Sequence, residues 1–220
     1  KLYEYDMKSK IIQLLSRYEI ENIFLNKNEA SKFLKKYGKI KYRVISNSVF
    51  INKIDPKKRE IQKNGTIKLG LISNLTREKG LDDFLNIAKK SLKEKNLWEF
   101  ELAGPLLNNR SFYLNQIKSL KNIKYHGQIL EENKKIQFFN NIDFFIFLTS
   151  HQHESEPLVI LEAISNGCIP ITFNRGSIIK LIPNSRLIIK NDKDIYNSVK
   201  KIIDDTFSKR ESRKLSNLAF

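Results

Sequence analysis

The sequence predicts a doubly wound α/β fold, an open parallel sheet with helices on both faces. From residue 67 onward, short β-branched or aromatic runs recur: IKLGLIS (67–73), WEFELAG (98–104), IKYHG (123–127), DFFIFLT (143–149), IPITF (169–173) and RLIIK (186–190). These runs are mostly apolar and do not alternate, as expected of strands covered on both sides. Helical stretches separate them; in the first, Leu81, Phe84, Leu85, Ala88 and Leu92 repeat at helical spacing. Strand, helix, strand repeats imply parallel pairing.

Before residue 67 the pattern is looser. A helix is expected around Lys8 to Ser16, a strand near Ile20 to Leu25, a helix around Glu29 to Tyr37 and a strand near Tyr42 to Ile45. The stretch NKIDPKKREIQKNG (52–65) is polar, charged and punctuated by Pro56 and Gly65, the composition of a linker. The expected organisation is residues 1–46 as the remnant of a first domain, 47–66 as a linker and 67–220 as the α/β domain. The sequence shows no internal repeat and no low-complexity segment.

The chain has 220 residues, 40% of them apolar, enough for one domain with a sizeable core. No apolar run approaches the roughly 20 residues of a membrane-spanning helix, and KLYEYDMKSK at the start lacks a secretory pattern, so a soluble intracellular protein is expected. The single cysteine, Cys168, excludes an internal disulfide and, among apolar neighbours, reads as a small core residue. Forty Lys and Arg against 24 Asp and Glu give a formal charge of +16, a field that attracts anions. A phosphorylated small molecule and an anionic membrane surface both fit it. Nucleic acid fits less well, because the lysines are scattered and no groove-reading module appears. The joint richness in Lys, Ile and Asn also fits biased base composition of the coding DNA.

The stretch ESEPLVILEAISNGCIPI (154–171) carries two carboxylates, Glu154 and Glu162, with seven residues between them. Pro157 suits the first position of a helix, Gly167 is placed to end it, and Leu158 to Ile164 put apolar residues on nearly every face. A buried Glu162 then needs a partner. Glu154 falls in the loop after the strand DFFIFLT, at the carboxyl edge of the sheet, where ligands bind in open α/β folds. Free amides and the positive helix end there favour a phosphate, and a carboxylate one turn deeper can accept from a ribose diol. The spacing alone equally allows Glu162 to bond a lysine or a neighbouring backbone group and simply hold the helix.

From roughly Val44 to Ile203 the chain resembles the donor-binding half of a family 4 glycosyltransferase. These retaining GT-B enzymes carry a Glu, seven residues, then a Glu, and ESEPLVILEAISNGCIPI is similar to that signature, including Glu162-Ala163 and the Gly167 to Pro170 run. In order along the chain, VISNSVF (44–50) resembles the segment joining the two halves and ISNLTREKG (72–80) the loop whose Arg and Lys hold the donor diphosphate. ELAGP (101–105) resembles the next strand end, and KYHG (124–127) the strand before the base-binding loop. The sequence departs from the pattern at Asn74, where the family has arginine, at Ser155, Glu156 and Pro157, which replace the usual glycine and phenylalanine, and at Asn47-Ser48.

The resemblance implies a Rossmann-like C-terminal half of a GT-B enzyme, a hexosyltransferase that moves a sugar from a nucleotide-sugar to a hydroxyl, in bacterial surface polysaccharide or lipopolysaccharide synthesis. It implies Glu154 and Lys79 as catalytic, with Lys79 helped by Arg77 on the diphosphate and Glu162 on the ribose. Asn74, Ser155, Leu158 and Val159 complete the expected donor contacts. No metal and no cofactor beyond the donor substrate are expected. The implied partners are the donor and a glycan or lipid-linked acceptor, at the cytoplasmic face of the membrane. Only about 45 residues precede VISNSVF, so the chain is expected to be an inactive fragment. The alternatives are a binding module without transfer activity and, less favoured, a basic nucleic-acid-binding domain.

Other signals point to architecture. His151 and His153 have metal-like spacing but no evident third ligand. Asp192 and Asp194 form an Asp-x-Asp that precedes the amphipathic IYNSVKKII, where helix capping explains them. The absence of Gly-x-Gly-x-x-Gly argues against a dinucleotide dehydrogenase.

Overall fold

A computed structural model describes residues 10, 14, 21–51, 65–152, 154–182, 184–190 and 192–208. Apart from residues 10 and 14, the helix expected around Lys8 to Ser16 lies outside the described residues, as do most of the 47–66 linker and His153. The chain divides into two compact units, residues 1–50 and 51–220.

In the first unit, β1 (Asn22–Phe24) and β2 (Tyr42–Val44) pair in parallel on either side of α1 (Lys27–Tyr37). The Asn26 side chain accepts from the Glu29 amide to cap α1, and Gly38, at φ 89°, closes it. The rings of Phe24, Phe33, Tyr37 and Tyr42 pack together on this small sheet.

The second unit carries the doubly wound sheet. Its strands are β3 (Ile67–Ile72), β4 (Trp98–Ala103), β5 (Ile123–Tyr125), β6 (Phe144–Phe147), β7 (Ile169–Phe173) and β8 (Ile188–Ile189). They are all parallel, in the order β5-β4-β3-β6-β7-β8. Between them run α2 (Leu81–Lys93), α3 (Arg110–Ser119), α4 (Glu132–Asn140), α5 (Leu158–Ser165) and α6 (Ile178–Leu181), and α7 (Ile195–Ser208) follows β8. Every residue of β6 and β7 is buried, which requires cover on both faces of the sheet. Phe145 stacks on Phe147, with ring centroids 6.1 Å apart, and meets Phe139 edge-on at 5.9 Å. Leu81, Phe84, Leu85 and Ala88 of α2 are buried as the spacing predicts, and Phe84 packs edge-on against Phe100. Cys168 is 4% exposed, its thiol directed at the Phe139 carbonyl, a core role.

The strand order reverses between β3 and β6. Their following loops, 73–80 and 148–157, therefore leave the sheet side by side at its carboxyl edge, the crevice in which open α/β sheets bind ligands.

Three local expectations are corrected. Pro157 is not the first helical residue: its φ of −60° and ψ of 115° place it just ahead, and the helix begins at Leu158. The expected burial of α5 on nearly every face does not hold, since Leu158 is 42% exposed and only Ile160, Ala163 and Ser165 are buried. The amino end of α5 opens at the sheet edge, so its apolar pattern overstates its burial. In the run 186–190 only Ile188 and Ile189 are strand; Arg186 and Leu187 belong to a tight turn, Ser185–Leu187, which the Asn184 side chain caps through the Arg186 amide. Asp194 caps α7 through the Asn197 amide, a bond that holds its carboxyl below the usual range.

Candidate functional site

The two loops at the switch point are tied together by their own sequence. After β3, Thr76 caps a one-turn helix over Arg77–Lys79 through the Lys79 amide, and Gly80 ends it in the left-handed region, φ 87°. A Cβ on Gly80 would stand 2.6 Å from the Leu148 carbonyl oxygen, so only glycine lets this loop lie against the end of β6. From the β6 loop, the Ser150 amide donates to the Glu78 carbonyl at 2.8 Å. The Glu78 carboxyl is held below its ordinary range by hydrogen bonds from its own backbone amide and the Thr76 hydroxyl.

Across this junction the Lys79 ammonium pairs with Glu154 Oε1, which also accepts from the Thr149 hydroxyl at 3.3 Å. The lysine side chain is 27% exposed and the glutamate 13%, and the ammonium lies 5.6 Å from the centre of the Phe147 ring. This half-sheltered ion pair sits ahead of α5. The first helical bonds of α5 are donated to Pro157 by Ile160 and Leu161, so the Leu158 and Val159 amides precede the ladder and lie at the positive end of the helix. Ser155 Oγ is buried and has no hydrogen-bond partner among the described residues.

One turn inside α5, Glu162 meets Lys135 of α4, whose Nζ donates to Oε1 at 2.5 Å. This is the lysine that a purely architectural role for Glu162 asks for. The site thus holds two carboxylates and two ammonium groups in matched pairs.

Other expected residues stand apart. Arg77 is 83% exposed and is directed to Asp82 at the start of α2, 3.4 Å away. Asp82 also accepts from the Tyr113 hydroxyl at 2.6 Å, and burial, aided by this bond, pushes that phenol up to about 12. Asn74 is exposed at the end of β3. His151 is exposed, and no group of three or more His, Cys, Asp or Glu able to hold a metal occurs among the described residues.

The loop after β5 and the adjacent face of α4 line an open pocket of about 660 Å3, with His126, Ile129, Leu130, Gln137 and Phe138 among its walls. On its floor His126 pairs with Glu101, a carboxylate only 4% exposed that also accepts from Asn141 at 2.7 Å.

Sequence reasoning missed Lys135, Thr149 and Gly176. Gly176 stands at φ 54°, and the Ser177 amide beside it donates to the Glu154 carbonyl at 2.7 Å. The loop after β7 thereby holds the backbone of Glu154. Nothing in the local sequence marks Lys135 or Gly176, since both act on residues about twenty or more positions away.

A search of curated protein sequences returns no match. Among solved structures, TarM superposes with a TM-score of 0.70 at 17% identity, over 96% of this chain and 41% of TarM. HepE from Anabaena, solved with UDP-glucose, gives 0.66 at 16% identity, over 97% of this chain and 61% of HepE. The catalytic domain of cholesterol-α-glucosyltransferase from Helicobacter pylori gives 0.57 at 17% identity, over 70% of this chain and 97% of that domain. This chain therefore spans less than two thirds of the length of TarM and of HepE. These likenesses establish the fold, the Rossmann-like sheet of GT-B glycosyltransferases. The sequence profile described as glycosyl transferases group 1 matches residues 53–217, three quarters of the chain, and the chain belongs to that family.

Proposed function

We propose that this chain is the donor-binding part of a retaining glycosyltransferase of family 4, which moves a sugar from a nucleoside diphosphate sugar to a hydroxyl in bacterial surface polysaccharide or lipopolysaccharide synthesis. The observation that carries the reading is the Lys79–Glu154 pair, set across the two loops of the topological switch point. In this reading Lys79 and the amides at the start of α5 receive the diphosphate and stabilise the charge that grows on it as the glycosyl bond breaks. A lysine has three donors, so Lys79 serves a phosphate oxygen while keeping Glu154, which faces the sugar hydroxyls. The ribose lies on Glu162, and the base enters the cavity beside the 128–131 loop. Ser155, with its buried unpartnered hydroxyl, and Leu158 and Val159 complete the pocket wall. Lys79 and helix amides supply the positive charge here, so no metal is needed. Arg77, as placed, gives long-range attraction to the anion.

The titration of Glu162→Gln against UDP, GDP and ADP tests this reading. The tightest of the three binds the variant more weakly by about 1–3 kcal/mol, the scale of a charge-assisted hydrogen bond, with the melting temperature unchanged. Unchanged affinity with lowered stability would show that Glu162 only holds the helix. We place the acceptor-binding groups largely outside these 220 residues, which therefore bind the donor without transferring it. Robust transfer of radiolabelled sugar by this chain alone would overturn that placement.

A further inference from the structure

Resting on the donor reading above, we propose that Lys135 is a positioning residue for ribose recognition. By holding Oε1 of Glu162 it fixes the carboxylate, so that Oε2 is left to accept from the ribose diol. Lys135 Nζ donates to Oε1, and no other donor among the described residues reaches this carboxylate. A free glutamate on a partly open helix surface samples several rotamers, and a ligand must then order it at an entropic cost. One ion pair made before the ligand arrives removes most of that cost.

Lys135 is itself well placed to hold another side chain still. It lies three and four residues before Phe138 and Phe139, which are 4% and 1% exposed, so its turn of α4 is pinned to the core. At the base of the same helix its amide donates to the Glu131 carbonyl at 3.1 Å. A contribution to stability alone explains the pair poorly, because its side chains are 30% and 20% exposed and ion pairs reached by water contribute little. The neighbouring Lys134 pairs with Glu131 within its own turn and lines the cavity, so adjacent lysines divide between the two sides of the helix. Lys135 thus holds the carboxylate one residue along the helix from the cavity-lining Lys134, and fixing Glu162 there decides whether a sugar bearing hydroxyls is preferred.

The test compares, for whichever of UDP, GDP and ADP the wild-type chain binds most tightly, the affinity of that nucleotide with its 2′,3′-dideoxy counterpart. Wild type prefers the ribose form by about tenfold or more, the scale of charge-assisted hydrogen bonds to two hydroxyls. Lys135→Met lowers that preference to about threefold or less, chiefly by weakening the ribose form and leaving dideoxy affinity in place. Lys135→Arg restores most of it, and Lys135→Gln replaces the methionine variant if that chain does not fold. A purely structural lysine would shift the melting temperature and leave the preference intact. Retained preference in Lys135→Met, with preference lost in Glu162→Gln, overturns the positioning role and spares the donor reading. Retained preference in both variants, or no binding of any of the three nucleotides by wild type, overturns the donor reading itself.

Discussion

Replacing Lys79 with methionine lowers nucleoside diphosphate affinity by about 2–4 kcal/mol, while affinity for the bare nucleoside changes by less than about threefold. The asymmetry follows from where the charge is. In the proposed site the ammonium meets the diphosphate, and the nucleoside carries nothing for it to attract. The loss exceeds that of a surface lysine because Lys79 is only 27% exposed and its partner Glu154 only 13%. Removing it deletes a cation and also leaves the Glu154 carboxylate without its partner beside the place where an anion must enter. Isothermal titration of UDP and uridine into both chains, with and without a chelator, measures the difference. Equal losses for both ligands, or binding that disappears with the chelator in the wild type, would show that Lys79 is not the diphosphate ligand.

How much of this was legible beforehand depended on how local each feature is. β6 stands out because four apolar residues in a row, FFIF, have no amphipathic alternative, and β7 because no charged residue interrupts IPITF; both are buried throughout. The bend into β8 did not, because its boundary is set by the Asn184 side chain against the Arg186 amide and not by hydropathy. Glu154 and Glu162 were legible as a pair because their spacing fits a loop followed by one helical turn. Their partners differ: Lys79 was legible from its loop, though not as the group that reaches Glu154 across 75 positions of chain, whereas Lys135, which reaches Glu162 across 27, was not legible at all. In a chain with 40 Lys and Arg, nothing but the fold singles out Lys135. The overstated burial of α5 has the same origin. Apolar residues at the mouth of a crevice look, in one dimension, like core residues, and Leu158 at 42% exposure is the clearest case.

Gly176→Ala is expected to weaken donor binding by about tenfold to a hundredfold, the scale of one hydrogen bond to a charged group lost as Glu154 and Lys79 are displaced. Two effects act at this position. The residue sits at φ 54°, where an L side chain costs about 1–2 kcal/mol. A Cβ would also lie 1.8 Å from the Glu154 carbonyl oxygen and 2.9 Å from its amide nitrogen, a clash with backbone that no rotamer relieves. The loop must shift, and with it goes the 2.7 Å bond from the Ser177 amide that holds Glu154 opposite Lys79. Total destabilisation is then about 2–4 kcal/mol, strain plus one hydrogen bond. Gly38 separates the two effects: it has a comparable φ of 89° with nothing within 4 Å of its would-be Cβ. Gly38→Ala therefore lowers the melting temperature through strain alone and leaves nucleoside diphosphate affinity unchanged. If Gly176→Ala likewise loses stability while titrating like wild type, the β7 loop does not position Glu154 for the donor.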